Sequence, residues 1–165
     1  MFECKGKVCF TLEPHINSYG YLGRITELLW QYFMIENDIK RFSVSCMSNS
    51  KWRKFFSGIH EGALDFDFCI WKLVNDNDPI KGFLPDIKQL GEDYVGDCGA
   101  LNGPFEFKLI EWLVIPKEHG YSQYKNAPIK YHKQDIDMVE RKLNETGNFV
   151  YDVTSEGIKV YGYKP

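Results

Sequence analysis

The segment from Gly103 to Pro116, Gly-Pro-Phe-Glu-Phe-Lys-Leu-Ile-Glu-Trp-Leu-Val-Ile-Pro, is the feature that most limits how this chain can fold. Its side chains alternate between the two faces of an extended strand, and in its second half both faces are apolar. Such a strand has to be covered on both sides, and the prolines at its two ends limit its length. We therefore predict that this segment is the central strand of a sheet.

Glu111 interrupts the apolar pattern of that strand. A carboxylate at this position belongs either to a bulge or edge exposed to water, or to the interior, where a partner balances its charge. The sequence leaves both alternatives open. Strand carboxylates of either kind are more often structural than catalytic, so Glu111 alone does not predict an active site.

The rest of the chain alternates helical and extended patterns. Apolar residues recur at spacings of three and four in three segments, and period-2 alternation with turn residues marks the remaining strands. The predicted fold is a single α+β domain over residues 1–165, with a mixed or largely antiparallel sheet covered by two or three helices and a C-terminal β-hairpin. The predicted helices are Leu22 to Asn37, Lys51 to His60 and Asp135 to Glu145; the other predicted strands are Lys7 to Leu12, Phe42 to Met47, Asp65 to Val74 and the hairpin Phe149 to Tyr163.

Residues 75–103 combine two prolines with five glycines and read as a long acidic loop with at most one short helix, near Asp86 to Leu90. Long loops within compact domains are often functional. The polar segment from Lys117 to Tyr131 is expected to be irregular, because Gly120 and Pro128 interrupt it.

Motifs for chemistry are lacking. The five cysteines are scattered without metal or redox spacing, and no phosphate-binding loop, nucleophile elbow or complete calcium loop occurs. We expect no cofactor and no metal, although Asp65, Asp67, Asp76 and Asp78 resemble fragments of a cation site. Residues 1–12 lack a signal-peptide pattern, and a cytoplasmic location is expected.

Charge is unevenly distributed along the chain. Residues 61–97 carry three basic and nine acidic residues, whereas the whole chain has a net charge of only -3. This middle third is either a solvated surface or a face that binds a basic protein, with aromatic side chains as anchors. The predicted partner-binding residues are Asp65, Asp67, Trp71, Asp76, Asp78, Phe83, Glu92, Asp93, Tyr94 and Asp97.

The segment Ile110-Glu-Trp-Leu-Val-Ile-Pro116, the helix after it and the hairpin from Gly147 to Tyr163 resemble small bacterial cytosolic domains, some of which occur as immunity proteins beside toxins. The resemblance covers about the last third of the chain. It implies a protein that binds rather than catalyses, and it transfers no catalytic residue. Together with the charge pattern it suggests an immunity or antitoxin-like inhibitor of a basic, nuclease-type toxin.

Two alternatives come from other classes. His119 and His132 lie in one polar segment, and with Glu111 they would make a small enzyme that uses acid/base chemistry. Nucleic-acid binding through Lys51, Trp52, Arg53 and Lys54 is disfavoured because the basic patch is short and the protein is acidic. The oligomeric state is not predicted.

Overall fold

The computed structural model describes residues 18–61, 68–96, 104–122 and 128–165. The predicted strand Lys7 to Leu12 lies outside these ranges. The helices are α1 (Ser18–Lys40), α2 (Asn49–Glu61) and α3 (Ile136–Thr146). The strands are β1 (Val44–Ser45), β2 (Phe68–Leu73), β3 (Ile80–Phe83), β4 (Tyr94–Val95), β5 (Phe105–Glu106), β6 (Ile110–Pro116), β7 (Glu118–Tyr121), β8 (Lys130–Lys133), β9 (Tyr151–Val153), β10 (Gly157–Tyr161) and β11 (Tyr163–Lys164), with 3-10 turns at Ile87–Gln89 and Phe107–Leu109.

The chain divides into two compact units. The first ends at Met34, and the second begins at Ile35. The described part of the first unit is helical, residues 18–34 of α1, and exposes several large apolar side chains there, Leu29, Trp30, Tyr32, Phe33 and Met34. The second unit contains α2, α3 and every described strand, and it has the predicted α+β architecture.

The main sheet is antiparallel and has five strands in the order β3-β2-β6-β10-β9. β6 occupies the centre, as the sequence predicts. The C-terminal hairpin is also confirmed, because β9 and β10 pair through Val153 and Ile158. Three two-stranded sheets, β1-β11, β4-β5 and β7-β8, complete the described strands.

The core lies between one face of this sheet and the helices α2 and α3. Alternate sheet residues, including Trp71, Leu113 and Ile158, are fully buried, and the helices add apolar side chains at helical spacing. Phe56 of α2 packs on Trp71 of β2, and their ring centroids are 5.8 Å apart. The helices therefore cover the inner face of the sheet. The side chains on its outer face are only partly buried, as at Ile70, Trp112, Val114 and Lys159.

The predicted strand from Gly103 to Pro116 is interrupted. β5 ends at Glu106, and a 3-10 turn separates it from β6. The backbone of this turn hydrogen-bonds to other loops, since the Phe107 N–H donates to the Asp93 carbonyl and the Leu109 carbonyl accepts from the Val74 N–H. Alternating apolar residues predict an extended chain here, but hydrogen bonds to sequence-distant loops favour the turn.

Two further segments contain more structure than their composition suggests. The region 75–103, expected to be a loop with one short helix, contains the strands β3 and β4 as well as the expected helical turn. The polar segment after Lys117 forms β7 and β8 instead of an irregular chain. Glycine and proline mark breaks in a strand, but they do not exclude short strands between the breaks.

Gly157 begins β10 with φ at +147°, a conformation that side-chain-bearing residues rarely adopt. A Cβ atom there would lie against the Ile115 carbonyl oxygen of the central strand, well inside van der Waals contact. The turn before it is closed by the Thr154 N–H, which donates to the Gly157 carbonyl at 2.8 Å. Only glycine allows β10 to approach β6 this closely.

We predict that Gly157→Ala lowers the free energy of unfolding by at least about 2 kcal/mol, because backbone strain and overlap with β6 act together. Urea unfolding followed by circular dichroism measures this change. Gly120→Ala is the control, since the three atoms nearest a Cβ there belong to the side chains of the exposed Ile129 and Tyr131 and none to the backbone. A loss for Gly157→Ala no larger than that of the control would contradict this account of the turn.

Candidate protein-binding site

Two acidic loops are joined to the same three-residue turn, Phe107–Leu109. The loop between β2 and β3 carries Asp76 and Asp78, and its Val74 N–H donates to the Leu109 carbonyl at 2.8 Å. The loop before β4 carries Glu92 and Asp93, and its Asp93 carbonyl accepts from the Phe107 N–H at 2.7 Å. These bonds hold the backbones of both acidic loops to opposite ends of one short turn, so the two loops are neighbours.

Lys72 fixes the loop between β2 and β3 from inside. Its ammonium group donates to the Leu73 carbonyl at 3.0 Å and to the Asp76 carbonyl, and it lies 3.4 Å from a carboxylate oxygen of Glu111. The two carbonyls accept hydrogen bonds from Lys72, and the Glu111 carboxylate balances its charge. Lys72 therefore forms an ion pair with Glu111 and contacts Asp76 only at the backbone carbonyl.

The second acidic loop is closed by its own hydrogen bonds. Asp86 caps the turn Ile87–Gln89, since its carboxylate accepts from the Lys88 N–H at 3.2 Å and its N–H donates to the Gln89 side chain at 2.7 Å. Further along, the Gly91 N–H donates to the Tyr94 carbonyl at 2.9 Å. The segment that carries Glu92 and Asp93 is thus held in one conformation.

The four carboxylates are available to a partner. Asp78, Glu92 and Asp93 are exposed and Asp76 is partly exposed. In the part of the chain that the structure describes, no Lys or Arg pairs with any of them. Unpaired carboxylates of one sign on fixed loops create a local negative potential.

The predicted anchors differ in their positions. Phe83 and Tyr94 are 47% and 44% exposed, and the Tyr94 ring covers Gly91. Phe83 pairs with Phe68 at the end of β3 that lies farthest from Asp76 and Asp78, so only Tyr94 adjoins an acidic loop. Trp71 has no exposed surface and was wrongly predicted to be a surface anchor, because it lies on the inner face of β2 against Phe56 and Phe105. The remaining predicted contacts, Asp65, Asp67 and Asp97, lie outside the described residues.

Sequence reasoning missed two neighbours of the acidic loops. Ile87 is 46% exposed in the 3-10 turn, and Glu106 is the strand partner of Tyr94. Glu106 forms an ion pair with Lys108 at 3.0 Å, so it adds less free charge than the other four carboxylates. The alternation Phe105-Glu106-Phe107 is the signal that indicates an outward-facing Glu106.

Glu111 lies at a bulge and also has partners that balance its charge, so both alternatives that its sequence position allows are present. Lys72 and Leu73 pair with Trp112 and Ile110, so Glu111 is the extra residue of a bulge in β6. Its carboxylate, with the side chain 18% exposed, lies 3.3 Å from Arg41 as well as 3.4 Å from Lys72. Glu111 is therefore held between two cations at the bulge.

His119 and His132 are strand partners in β7 and β8, with ring centroids 5.5 Å apart. Glu111 does not join them. His119 stacks on Phe68 at 4.3 Å and Glu111 lies beside Lys72, and these two β2 residues are separated by about 13 Å at about 3.3 Å per residue. The described residues thus bring the histidines together but not with the carboxylate that the enzyme alternative names, and they contain no group of three or more metal-ligating side chains.

The basic patch on α2 lacks its aromatic partner at the surface. Lys51, Arg53 and Lys54 are exposed, whereas Trp52 is 2% exposed and packs against Phe55 and Phe56. Bases stack on exposed rings, so this helix does not offer the combination that single-stranded nucleic acids require. None of the described helices is long and apolar enough to cross a membrane.

Comparison with known proteins identifies no relative: no protein-family model, no curated protein and no solved structure matches the chain. The resemblance to immunity proteins therefore stays a prediction.

Tyr161 lies on the outer face of the sheet near the opposite edge strand. Its hydroxyl donates to the Asp152 carboxylate at 2.7 Å, and Lys159 and Lys164 lie over its ring. Burial, followed by the hydrogen bond and the charge of Asp152, raises the pKa of Tyr161 from 10.0 to about 12. The folded state therefore holds this proton more tightly than the unfolded state.

We predict that the stabilising contribution of Tyr161 is fully present below pH 10 and is lost as the pH rises toward about 12. The difference in unfolding free energy between the wild type and Tyr161→Phe should shrink over this range. Asp152→Asn removes the charge, so the pKa of Tyr161 should fall in ultraviolet phenolate titrations. An unchanged titration in Asp152→Asn would show that Asp152 does not contribute.

Proposed function

We propose that this protein is an inhibitor that binds a basic protein through one acidic surface, defined here as Asp76, Asp78, Glu92 and Asp93 with the anchor Tyr94. One observation carries the proposal. The two loops that bear the carboxylates are tied to the same turn, Phe107–Leu109, and their four charges form no ion pair among the described residues.

Such a surface is suited to fast and oriented association. Unpaired carboxylates attract a basic partner over roughly a Debye length, about 8 Å at physiological salt, and fix its register on contact. Half-exposed aromatic rings lose their remaining accessible area on binding and supply most of the affinity. Loops that are already fixed lose little conformational freedom when the complex forms.

The finer proposal is an immunity or antitoxin-like protein that acts in the cytoplasm against a nuclease-type toxin. Enzymes that cleave nucleic acids bind phosphates with clusters of Lys and Arg, so an acidic surface can occupy the same cleft. The resemblance of the segment 110–116 and of the C-terminal hairpin to immunity proteins supports this finer proposal, as does the middle third with nine acidic and three basic residues.

We predict that neutralising the acidic surface in the variant Asp76→Asn, Asp78→Asn, Glu92→Gln, Asp93→Asn slows association with the partner by about tenfold or more and weakens its salt dependence. The immobilised wild type first captures the partner from a lysate of the source cells. The bound protein is then eluted with a salt gradient and identified by mass spectrometry. Stopped-flow kinetics with the purified partner then give the association rate constants at several salt concentrations.

The matched control neutralises four carboxylates elsewhere, Asp137→Asn, Glu140→Gln, Glu145→Gln and Glu156→Gln, and changes the net charge equally. It should capture the same protein at close to the wild-type rate. If both variants slow association to the same extent, the effect comes from net charge and not from this surface. If the test variant binds as the wild type does, the proposal is wrong.

A separate prediction concerns the anchor Tyr94. Tyr94→Ala should accelerate dissociation of the same complex by about fivefold to tenfold, since truncating a central aromatic ring weakens binding by more than about 1 kcal/mol. Tyr131→Ala is the control, because Tyr131 is 67% exposed on β8, away from the acidic loops. Equal dissociation rates for the two variants would exclude Tyr94 as an anchor.

A further inference from the structure

Tyr94 of the acidic surface has an exposed carboxylate, Glu106, as its strand partner. The two residues face each other in the small sheet of β4 and β5, so their Cβ atoms are about 5 Å apart. The neighbouring pair, Val95 and Phe105, is buried, and the side chains of Tyr94 and Glu106 therefore point outward. Tyr94 is 44% exposed, and the Glu106 side chain is 49% exposed.

The Tyr94 ring is held in place by the turn that precedes it. Leu90 pairs with Val95, and the Gly91 N–H donates to the Tyr94 carbonyl at 2.9 Å, so Gly91 and Tyr94 close a two-residue turn. The ring lies against Gly91, where a Cβ atom would overlap it. One part of the ring thus packs on the backbone of Gly91, and its exposed part faces solvent.

Glu106 already binds a cation of its own chain. The Lys108 ammonium group lies 3.0 Å from the Glu106 carboxylate and 3.8 Å from the Glu36 carboxylate, so two carboxylates share one cation. A cation from a partner that takes the place of Lys108 at Glu106 leaves Lys108 beside Glu36. Because exposed ion pairs contribute little to stability, this exchange costs little.

An exposed ring beside a carboxylate offers two kinds of contact to a single cation. The guanidinium group of arginine is planar, stacks on aromatic faces and donates two parallel hydrogen bonds to a carboxylate. The ammonium group of lysine also lies over aromatic rings, but it is compact and strongly hydrated and forms neither the stacked nor the paired contact. The pair of Tyr94 and Glu106 therefore favours arginine over lysine.

We propose that Tyr94 and Glu106 bind an arginine of the basic partner, with its guanidinium group on the Tyr94 ring and hydrogen-bonded to the Glu106 carboxylate. Glu92 and Asp93, in the turn before Tyr94, attract any cation and do not distinguish arginine from lysine. This inference rests on the proposed function, because it names the residue type by which the partner is recognised. It also makes the ion-paired Glu106 a residue that determines specificity.

The test compares two peptides of equal charge, acetyl-Arg-Gly-Arg-Gly-Arg-amide and its counterpart with lysine in place of arginine. Each peptide is titrated at low salt into the isotope-labelled protein, and the amide signals are followed by NMR. We expect dissociation constants on the order of 1 mM, with the arginine peptide binding about threefold to fivefold more tightly. The signals of Tyr94 and Glu106 should shift more with the arginine peptide.

Two variants test the two halves of the site. Tyr94→Leu removes the ring and Glu106→Gln removes the charge, and each should bring the two dissociation constants to within about twofold of each other. Each variant tests the site if the other does not fold. The matched controls are Tyr131→Leu, at an exposed strand tyrosine, and Glu118→Gln, at an exposed strand glutamate that lies 3.9 Å from Lys133. Both controls should keep the wild-type preference.

Equal affinity of the wild type for the two peptides would overturn the inference, as would a preference that persists in Tyr94→Leu or Glu106→Gln. Absence of shifts around Tyr94 with either peptide would overturn it as well. The lysine peptide tests the proposed function separately, because its binding depends on charge alone. The variant that neutralises the four carboxylates of the acidic surface should bind the lysine peptide more weakly, and unchanged binding would count against the proposed function whatever the arginine preference is.

Discussion

The burial of β6 is the constraint on which the second unit depends. This strand pairs with β2 on one side and β10 on the other, and its Leu113 and Ile115 are fully buried beneath the helices. Removing a buried side chain of this size typically lowers the free energy of unfolding by about 2 to 5 kcal/mol, a large share of the stability of a small domain. The acidic loops are bonded to the turn Phe107–Leu109, which leads directly into this strand.

The bulge at Glu111 links this core to the acidic loop. A half-buried carboxylate needs compensating cations, and Glu111 has Arg41 and Lys72. Lys72 also donates to carbonyls of the loop between β2 and β3, so the ion cluster shapes that loop while leaving the Asp76 and Asp78 carboxylates unpaired. The negative surface is thus partly a consequence of how the core balances one buried charge.

The sequence predicts those features that follow from local periodicity. The three helices, the central position of 110–116 and the C-terminal hairpin are recognisable because apolar spacing sets which face is buried. The 3-10 turn Phe107–Leu109, the placement of Trp71 on the inner face and the pairing of β7 with β8 depend on contacts between distant segments. Charge counting found the acidic residues, but it did not show that two loops meet at one turn. The unsatisfied oxygen of Gln134 has no sequence signal at all, since it arises from a hydrogen bond to the carbonyl of Pro116.

The two ends of β6 differ in the kind of recognition they favour. At the Ile110 end, exposed carboxylates act over several ångströms, so they suit a large charged partner whose association is limited by orientation. At the Pro116 end, the rim of an open pocket of about 500 Å³ carries charges of both signs, and Lys133 lies 3.9 Å from Glu118, so the field at a distance is weak.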